Sequence, residues 1–171
     1  MFDKIASVGM YEHVGHAELD GYVSTLHSLL RPGGLALNHG ISQLHGDPPD
    51  DRSFIARYIF PDGELQPLAR VIGALQRGGL EVRDVESLRE HYALTLRCWV
   101  ANLRAERSRA IELVGAERMR TWELYMVGSA RAFDAGEISV YQVLTARGDG
   151  AHELPLDRLQ LLGSGESRTS R

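Results

Sequence analysis

Ile5-Ala6-Ser7-Val8-Gly9-Met10-Tyr11-Glu12-His13-Val14-Gly15 is the stretch on which the fold turns. A short apolar run over residues 2–9 stops at a glycine, the pattern of a buried strand. Residues 16–30 read as a helix. Leu19, Tyr22, Val23, Leu26, Leu29 and Leu30 fall on one face, and Arg31-Pro32-Gly33-Gly34 ends it. Leu35-Ala36-Leu37-Asn38-His39 reads as the next strand. Strand, helix, strand favours a crossover and parallel pairing, so the fold class is α/β. Ligands in such sheets bind past the carboxyl ends of the strands. Glu12 and His13 stand there. A buried strand also needs neighbours on both sides, which poses the question of where the rest of its sheet lies.

Further along, residues 43–53 form a polar loop containing Asp47-Pro48-Pro49-Asp50-Asp51. Phe54-Ile55-Ala56-Arg57-Tyr58-Ile59-Phe60 is apolar and aromatic, and Pro61-Asp62-Gly63 closes it as a turn. Residues 65–77 read as a helix stopped by Gly78-Gly79, and 80–85 alternate as a strand. From Tyr92 to Phe133 the pattern is helical, two or three helices with a break near Gly115. Ile138 to Leu144 is the last strand. After Arg147 the chain is Gly, Ser and charge, apart from Leu159 to Leu162. Residues 1–147 therefore form the domain, and 148–171 read as a poorly ordered tail.

The chain has 171 residues, enough for one domain with a real core. A formal net charge of −4 argues against nucleic acid as the main partner, because phosphate contacts demand a basic face. The one cysteine, Cys98, excludes an intramolecular disulfide framework and fits a reducing compartment. No apolar run approaches the roughly 20 residues of a membrane span, and no apolar signal core follows the N-terminus. The expected location is cytoplasmic, with peripheral contact at the inner membrane face. His16, His27, His45 and His152 lack metal-ligand spacing and read as surface residues, so no metal is expected.

Five pieces in order carry a resemblance. They are Phe2 to Gly15; His39-Gly40-Ile41-Ser42; Tyr58-Ile59-Phe60-Pro61-Asp62-Gly63-Glu64-Leu65; His91-Tyr92-Ala93-Leu94-Thr95-Leu96 before Trp99; and Ala132-Phe133-Asp134-Ala135-Gly136 into Val140-Tyr141-Gln142-Val143. With them the chain resembles the C-terminal part of cyclopropane-fatty-acyl-phospholipid synthases and the related mycolic acid cyclopropane synthases. The resemblance implies the C-terminal part of a Rossmann-like seven-stranded sheet with an inserted helical lid, and S-adenosylmethionine as methyl donor. The family's glycine-rich cofactor loop, its ribose-holding acid and its upstream cysteine have no counterpart in the sequence. Cys98 sits instead in a helical stretch. The first strand thus corresponds to the fourth of the family's sheet. A truncated remnant, or a split subunit needing a partner, stands as the alternative to a working enzyme.

The implied reaction moves a methyl group from a sulfonium to the cis double bond of an unsaturated phospholipid acyl chain. A carbocation results, and bound bicarbonate removes the proton whose loss closes the cyclopropane ring. Glu12, His39, the Ile41 backbone and Tyr92 match the positions that hold the bicarbonate. Val8, Gly9 and His13 match positions beside the cofactor. Tyr11, Tyr58 and Phe60 offer aromatic faces to the cation. Donors on His39, Tyr92 and a backbone N–H suit a small anion, and Glu12 can accept its hydroxyl proton.

Read without the resemblance, these residues leave plainer alternatives open. Glu12-His13 would be loop polarity or a carboxylate favoured by a helix N-terminus. Tyr92 would be a packing aromatic. The set Phe54, Tyr58 and Phe60 reads as core, as do Trp99, Trp122 and Tyr125. A related lipid or small-molecule C-methyltransferase fits the same motifs. Membrane phospholipid acyl chains are the expected partner, with a second copy or an N-terminal half also open. No polybasic patch for anionic lipid is legible in the sequence.

Overall fold

The computed structural model describes residues 1–44, 52–61, 63–161 and 163. Residues 45–51, which include His45 and the Asp47–Asp51 loop, together with Asp62, Leu162 and the last eight residues, lie outside the described set. The elements are β1 (Phe2–Val8), a 3-10 turn (Tyr11–His13), α1 (Leu19–Leu29), β2 (Leu30–Gln43), α2 (Phe54–Tyr58) and β3 (Gln66–Pro67). They continue with α3 (Leu68–Arg77), β4 (Leu80–Ser87), α4 (Arg89–Ala105), α5 (Arg107–Val114), α6 (Ala116–Ala135), β5 (Ile138–Arg147) and α7 (Arg158–Leu161).

The sheet runs β1-β2-β5-β4, with β3 pairing the far end of β2. β1 is parallel to β2, as the strand-helix-strand unit predicts, with Val8 opposite His39. β5 is inserted antiparallel between β2 and β4. On one face α1 and α3 bury Tyr22, Val23 and Leu26 with Val71, Ala74 and Leu75 against the sheet. Gly78, which ends α3, makes this packing possible. A Cβ there would meet Val23 Cγ1 at 2.3 Å. A second cluster joins Leu96 and Val100 of α4, Met126 and Phe133 of α6, and Val140 of β5. Helices α4 to α6, between β4 and β5, are the inserted helical unit.

Three expectations need correction. Residues 2–8 form a strand, but not a buried one. Among the described residues β1 pairs on one side only, and Phe2 is 57% and Val8 64% exposed. Arg31-Pro32-Gly33-Gly34 does not separate helix from strand, because β2 begins at Leu30. The four residues are absorbed as an irregularity in the β1–β2 register, where Phe2 faces Leu30 and Lys4 faces Leu35. Gly33 makes this feasible. Its φ is +72°, and a Cβ would lie 2.0 Å from the Ala151 carbonyl oxygen. The third helix starts at Leu68 rather than residue 65, since Gln66–Pro67 is taken up as β3.

The helical stretch does break at Gly115, with φ +82°, and again at Glu106. α6 ends on Gly136 in the left-handed conformation, whose N–H caps Ala132 and Phe133 carbonyls. Beyond β5, Arg158 of α7 pairs with Asp84 of β4 at 2.7 Å. His16 is exposed beside Glu64, whereas His27 and His152 are half-buried. Among the described residues no helix is long and apolar enough to cross a membrane. Nor does any group of His, Cys, Asp and Glu there suit a metal ion.

Candidate active site

The site begins where β1 stops. Gly9, at φ +62°, donates its N–H to the His39 carbonyl at 2.8 Å and turns the chain out of the sheet. The next inward N–H on that edge of β2 is Ile41's. With β1 gone, the Glu12 carboxylate takes its place: Ile41 N–H donates to Glu12 Oε1 at 2.7 Å. Glu12 is only 7% exposed, and its Oε2 has no partner among the described residues. Gly40 provides the room. A Cβ on it would lie 2.4 Å from the Tyr11 ring and within 2.9 Å of both Glu12 oxygens. The turn is anchored further by Glu64, whose N–H donates to the Glu12 carbonyl at 2.8 Å.

On the opposite face of β2, His39 is held at both ring nitrogens. Gln142 of β5 donates its amide to Nδ1 at 3.2 Å. Neutral His39 then carries its proton on Nε2, 2.9 Å from the Tyr92 hydroxyl of α4. This leaves the Tyr92 hydrogen free to be donated elsewhere. Tyr92 in turn packs on Phe133 at 5.7 Å between ring centres.

These residues meet at a cavity of about 820 Å³. Gly9, Glu12, His13, Ile41 and Tyr92 supply its polar wall. The remainder is largely apolar: Phe54, Ile55, Phe60 and Leu65 from the segment after β2, Leu96 and Trp99 from α4, Leu124, Tyr125 and Phe133 from α6. A largely apolar chamber with a few convergent polar groups is the usual form of a ligand site. His13 and Phe60 meet edge-on at 5.5 Å, and Phe60 meets Tyr125 in the same way at 5.8 Å.

Of the residues expected at the site, Glu12, Ile41, Tyr92, Gly9, His13 and Phe60 line this cavity. His39 is not among the lining residues but touches one of them, the Tyr92 hydroxyl. Val8 lies exposed at the end of β1. Tyr11 does not line the cavity: it is 1% exposed in the core with α1, with its hydroxyl 2.7 Å from Ser42. Burial there pushes its hydroxyl pKa above the usual tyrosine range. Tyr58 is 60% exposed and packs at a tilt on the lining residue Phe54 without itself lining the cavity. Ile41's N–H is already given to Glu12, so an anion placed here meets that amide occupied.

Trp99 and Tyr125, read from sequence as packing residues, line the cavity instead, and so do Gly128, Ser129 and Ala132. Their spacing was visible: Tyr92, Leu96 and Trp99 recur at helical intervals, as do Tyr125, Gly128, Ser129 and Ala132. Periodicity identifies a shared face without saying whether the face meets protein or a cavity.

Comparison with known proteins agrees with this architecture. Residues 1–143 match the model of the family described as mycolic acid cyclopropane synthetase. The chain is 47% identical over 163 residues to a probable fatty acid methyltransferase of Pseudomonas putida, covering 92% of this chain and 41% of that protein. It is 36% identical over 152 residues to cyclopropane mycolic acid synthase 1 of Mycobacterium tuberculosis, covering 82% of this chain and 53% of that one. The chain thus spans about half the length of these relatives, or less. Among solved structures, the cyclopropane synthase MmaA2 from M. tuberculosis superposes with a TM-score of 0.79 at 31% identity, covering 84% of this chain and 55% of that one. Mycolic acid cyclopropane synthase CmaA1 complexed with SAH and CTAB gives 0.78 at 35%, with the same coverage. With the family model matched over residues 1–143 and solved members superposing on its mixed sheet and inserted helices, the chain belongs to the mycolic acid cyclopropane synthetase family.

Proposed function

We propose that this chain carries the acyl-binding and proton-handling part of an S-adenosylmethionine-dependent methyltransferase. Its substrate is the cis double bond of an unsaturated phospholipid acyl chain, and its product a cyclopropane ring. The observation that carries this reading is Glu12: a buried carboxylate with one oxygen unpartnered among the described residues, at the polar wall of a largely apolar cavity.

An alkene is a weak nucleophile, so the site must contribute proximity and dryness. Phe60, Leu65, Leu96 and Trp99 supply an apolar wall for an acyl chain. Charge that develops on that chain faces the Glu12 carboxylate and the rings of Phe60, Tyr92 and Tyr125, all of which favour a cation. Gly9 and His13 line the cavity where β1 ends, and we assign them to the cofactor side of the site. When bound, S-adenosylmethionine would supply an electrophilic methyl group, and bicarbonate a base for the methyl proton whose loss closes the ring. The residues fit such an ion. Glu12 Oε2 lacks a donor, and the Tyr92 hydroxyl, backed by His39, has a hydrogen to give. This substrate reading requires the protein to work at a membrane surface, and the cytoplasmic face is the one we propose.

A second reading, an inactive remnant or a subunit completed by a partner, is favoured by the exposed β1 edge. The test is incubation of the purified protein with methyl-labelled S-adenosylmethionine and vesicles of an unsaturated phospholipid. Label recovered in a ring supports the proposal. Label in a methyl branch points to a related C-methyltransferase. Absence of both label and cofactor binding by calorimetry supports the second reading.

A further inference from the structure

The structure reveals a basic groove that the sequence did not disclose, on the side of the α4–α6 pair turned away from the cavity. We propose that this groove docks the protein onto an anionic phospholipid bilayer by taking lipid phosphates between its arginines. The choice of occupant rests on the lipid reading above.

The groove encloses about 370 Å³. Arg97 and Arg104 of α4 flank one side, and Arg131 of α6 the other, over a floor that includes Val100 and Val127. Helical spacing extends the α6 side. Arg120, Glu123, Val127, Arg131 and Asp134 recur at three- and four-residue steps and so share one stripe. Arg107 reaches Glu123 at 3.4 Å, beside Arg104 at 2.6 Å. Arg97 pairs with Asp134. Five arginines thus face two carboxylates, and Arg120 and Arg131 have no ion pair with any described residue. Residues 89–135 hold eight arginines and six acidic residues, whereas the whole chain holds 19 basic and 23 acidic ones. Within a chain of net negative charge, this helical unit carries more basic than acidic residues.

Three further features favour a bilayer surface over a soluble anion. Guanidinium groups bind phosphate through paired hydrogen bonds while their stems lie along apolar surface. Val127, 43% exposed, gives the groove an apolar floor that a free ion would not use. At the α5–α6 turn Leu113 and Val114 are 74% and 47% exposed, an apolar tip on the same unit. Finally, the same two helices wall the acyl cavity through Tyr92, Leu96, Trp99 and Tyr125. Docking by α4 and α6 brings that cavity to the lipid.

The test is co-sedimentation of the purified protein with vesicles of phosphatidylcholine alone or mixed with phosphatidylglycerol, without cofactor. Binding is expected only to the anionic vesicles, and is expected to weaken with salt. Each neutralised arginine near the surface weakens binding about fivefold, so Arg120→Glu with Arg131→Glu is expected to weaken it by at least about 25-fold. Lys4→Glu, a single charge reversal on β1 outside the groove, is expected to have far less effect than either arginine reversal alone. Equal binding to neutral vesicles, unchanged binding by the double variant, or an equal loss with Lys4→Glu overturns the inference. So does thermal protection by inorganic phosphate without vesicle binding, which would make the groove a small-ion site. The readout needs no turnover. A protein that docks but transfers no methyl group refutes the functional reading alone. One that transfers methyl groups but does not dock refutes this inference alone.

Discussion

Glu12 Oε1 accepts the Ile41 N–H at 2.7 Å and so stands in for the strand residue that would otherwise continue the β1–β2 ladder. The carboxylate is therefore structural at one oxygen and free at the other. The two roles separate by substitution. Glu12→Gln keeps a carbonyl oxygen for Ile41, and its melting temperature is expected to stay close to the parent's. Glu12→Ala strands a half-buried N–H, at a cost of about 1–3 kcal/mol. For a domain of this size that lowers the melting temperature by about 2–4 °C per kcal/mol. Thermal denaturation of the two variants side by side checks this.

Gly40 tests the same slot from the other side. A methyl group there collides with the Tyr11 ring at 2.4 Å and with both Glu12 oxygens. Tyr11 is fully enclosed and cannot yield. Gly40→Ala is expected to cost about 1–3 kcal/mol by overpacking and to expel Glu12 from its site. Unchanged stability would mean that the slot is looser than its geometry.

Gly128 has the opposite character. It lines the cavity from within α6, and a Cβ there meets nothing within 4 Å. A residue with a side chain would suit the helix better by up to about 1 kcal/mol, so Gly128→Leu is expected to hold or raise the melting temperature. The added side chain occupies cavity space. Displacing two methylenes of a bound chain costs about 1.6 kcal/mol, roughly fifteenfold in affinity. Titration with a fluorescent long-chain fatty acid reads this directly. Equal affinity in the variant would show that the acyl chain does not run past Gly128.

Alkaline pH should unfold the protein through its buried phenols. Burial raises the pKa of Tyr11 above its unfolded value of about 10, and burial acts in the same direction on Tyr22 and Tyr125. Above pH 10 the unfolded chain loses these protons before the folded one does. Stability is therefore full below pH 10 and falls as pH rises toward the folded values. Tyr11→Phe is expected to flatten that decline, at the cost of the Ser42 hydrogen bond. Denaturant titrations between pH 8 and about 11 would show it.

Much of the fold was legible because glycines and apolar periodicity mark it. Gly9, Gly78-Gly79, Gly115 and Gly136 each end an element in the structure. The exposure of β1 was not legible, because an apolar strand looks the same whether one edge or two are paired. Around Glu12 the sequence offers three consecutive side chains, Tyr11, Glu12 and His13. Only the 3-10 turn decides that Tyr11 enters the core, Glu12 caps Ile41 and His13 meets the cavity. The contact between His39 and Tyr92 joins residues 53 apart, and the tether from Gln142 crosses 103. No local pattern encodes either. The basic groove was hidden for a related reason. Its arginines are scattered along two helices and an overall negative chain, and only the pairing of α4 with α6 brings them together.

The most direct test of Glu12's role is methyl transfer from labelled S-adenosylmethionine to an unsaturated phospholipid, compared between the parent protein and Glu12→Gln. General acid–base and orienting groups contribute about 10²–10⁴ in rate. A loss of at least about 100-fold, with cofactor affinity and melting temperature unchanged, is the predicted result. Undiminished ring formation by Glu12→Gln would contradict it and leave Glu12 as a strand-end cap.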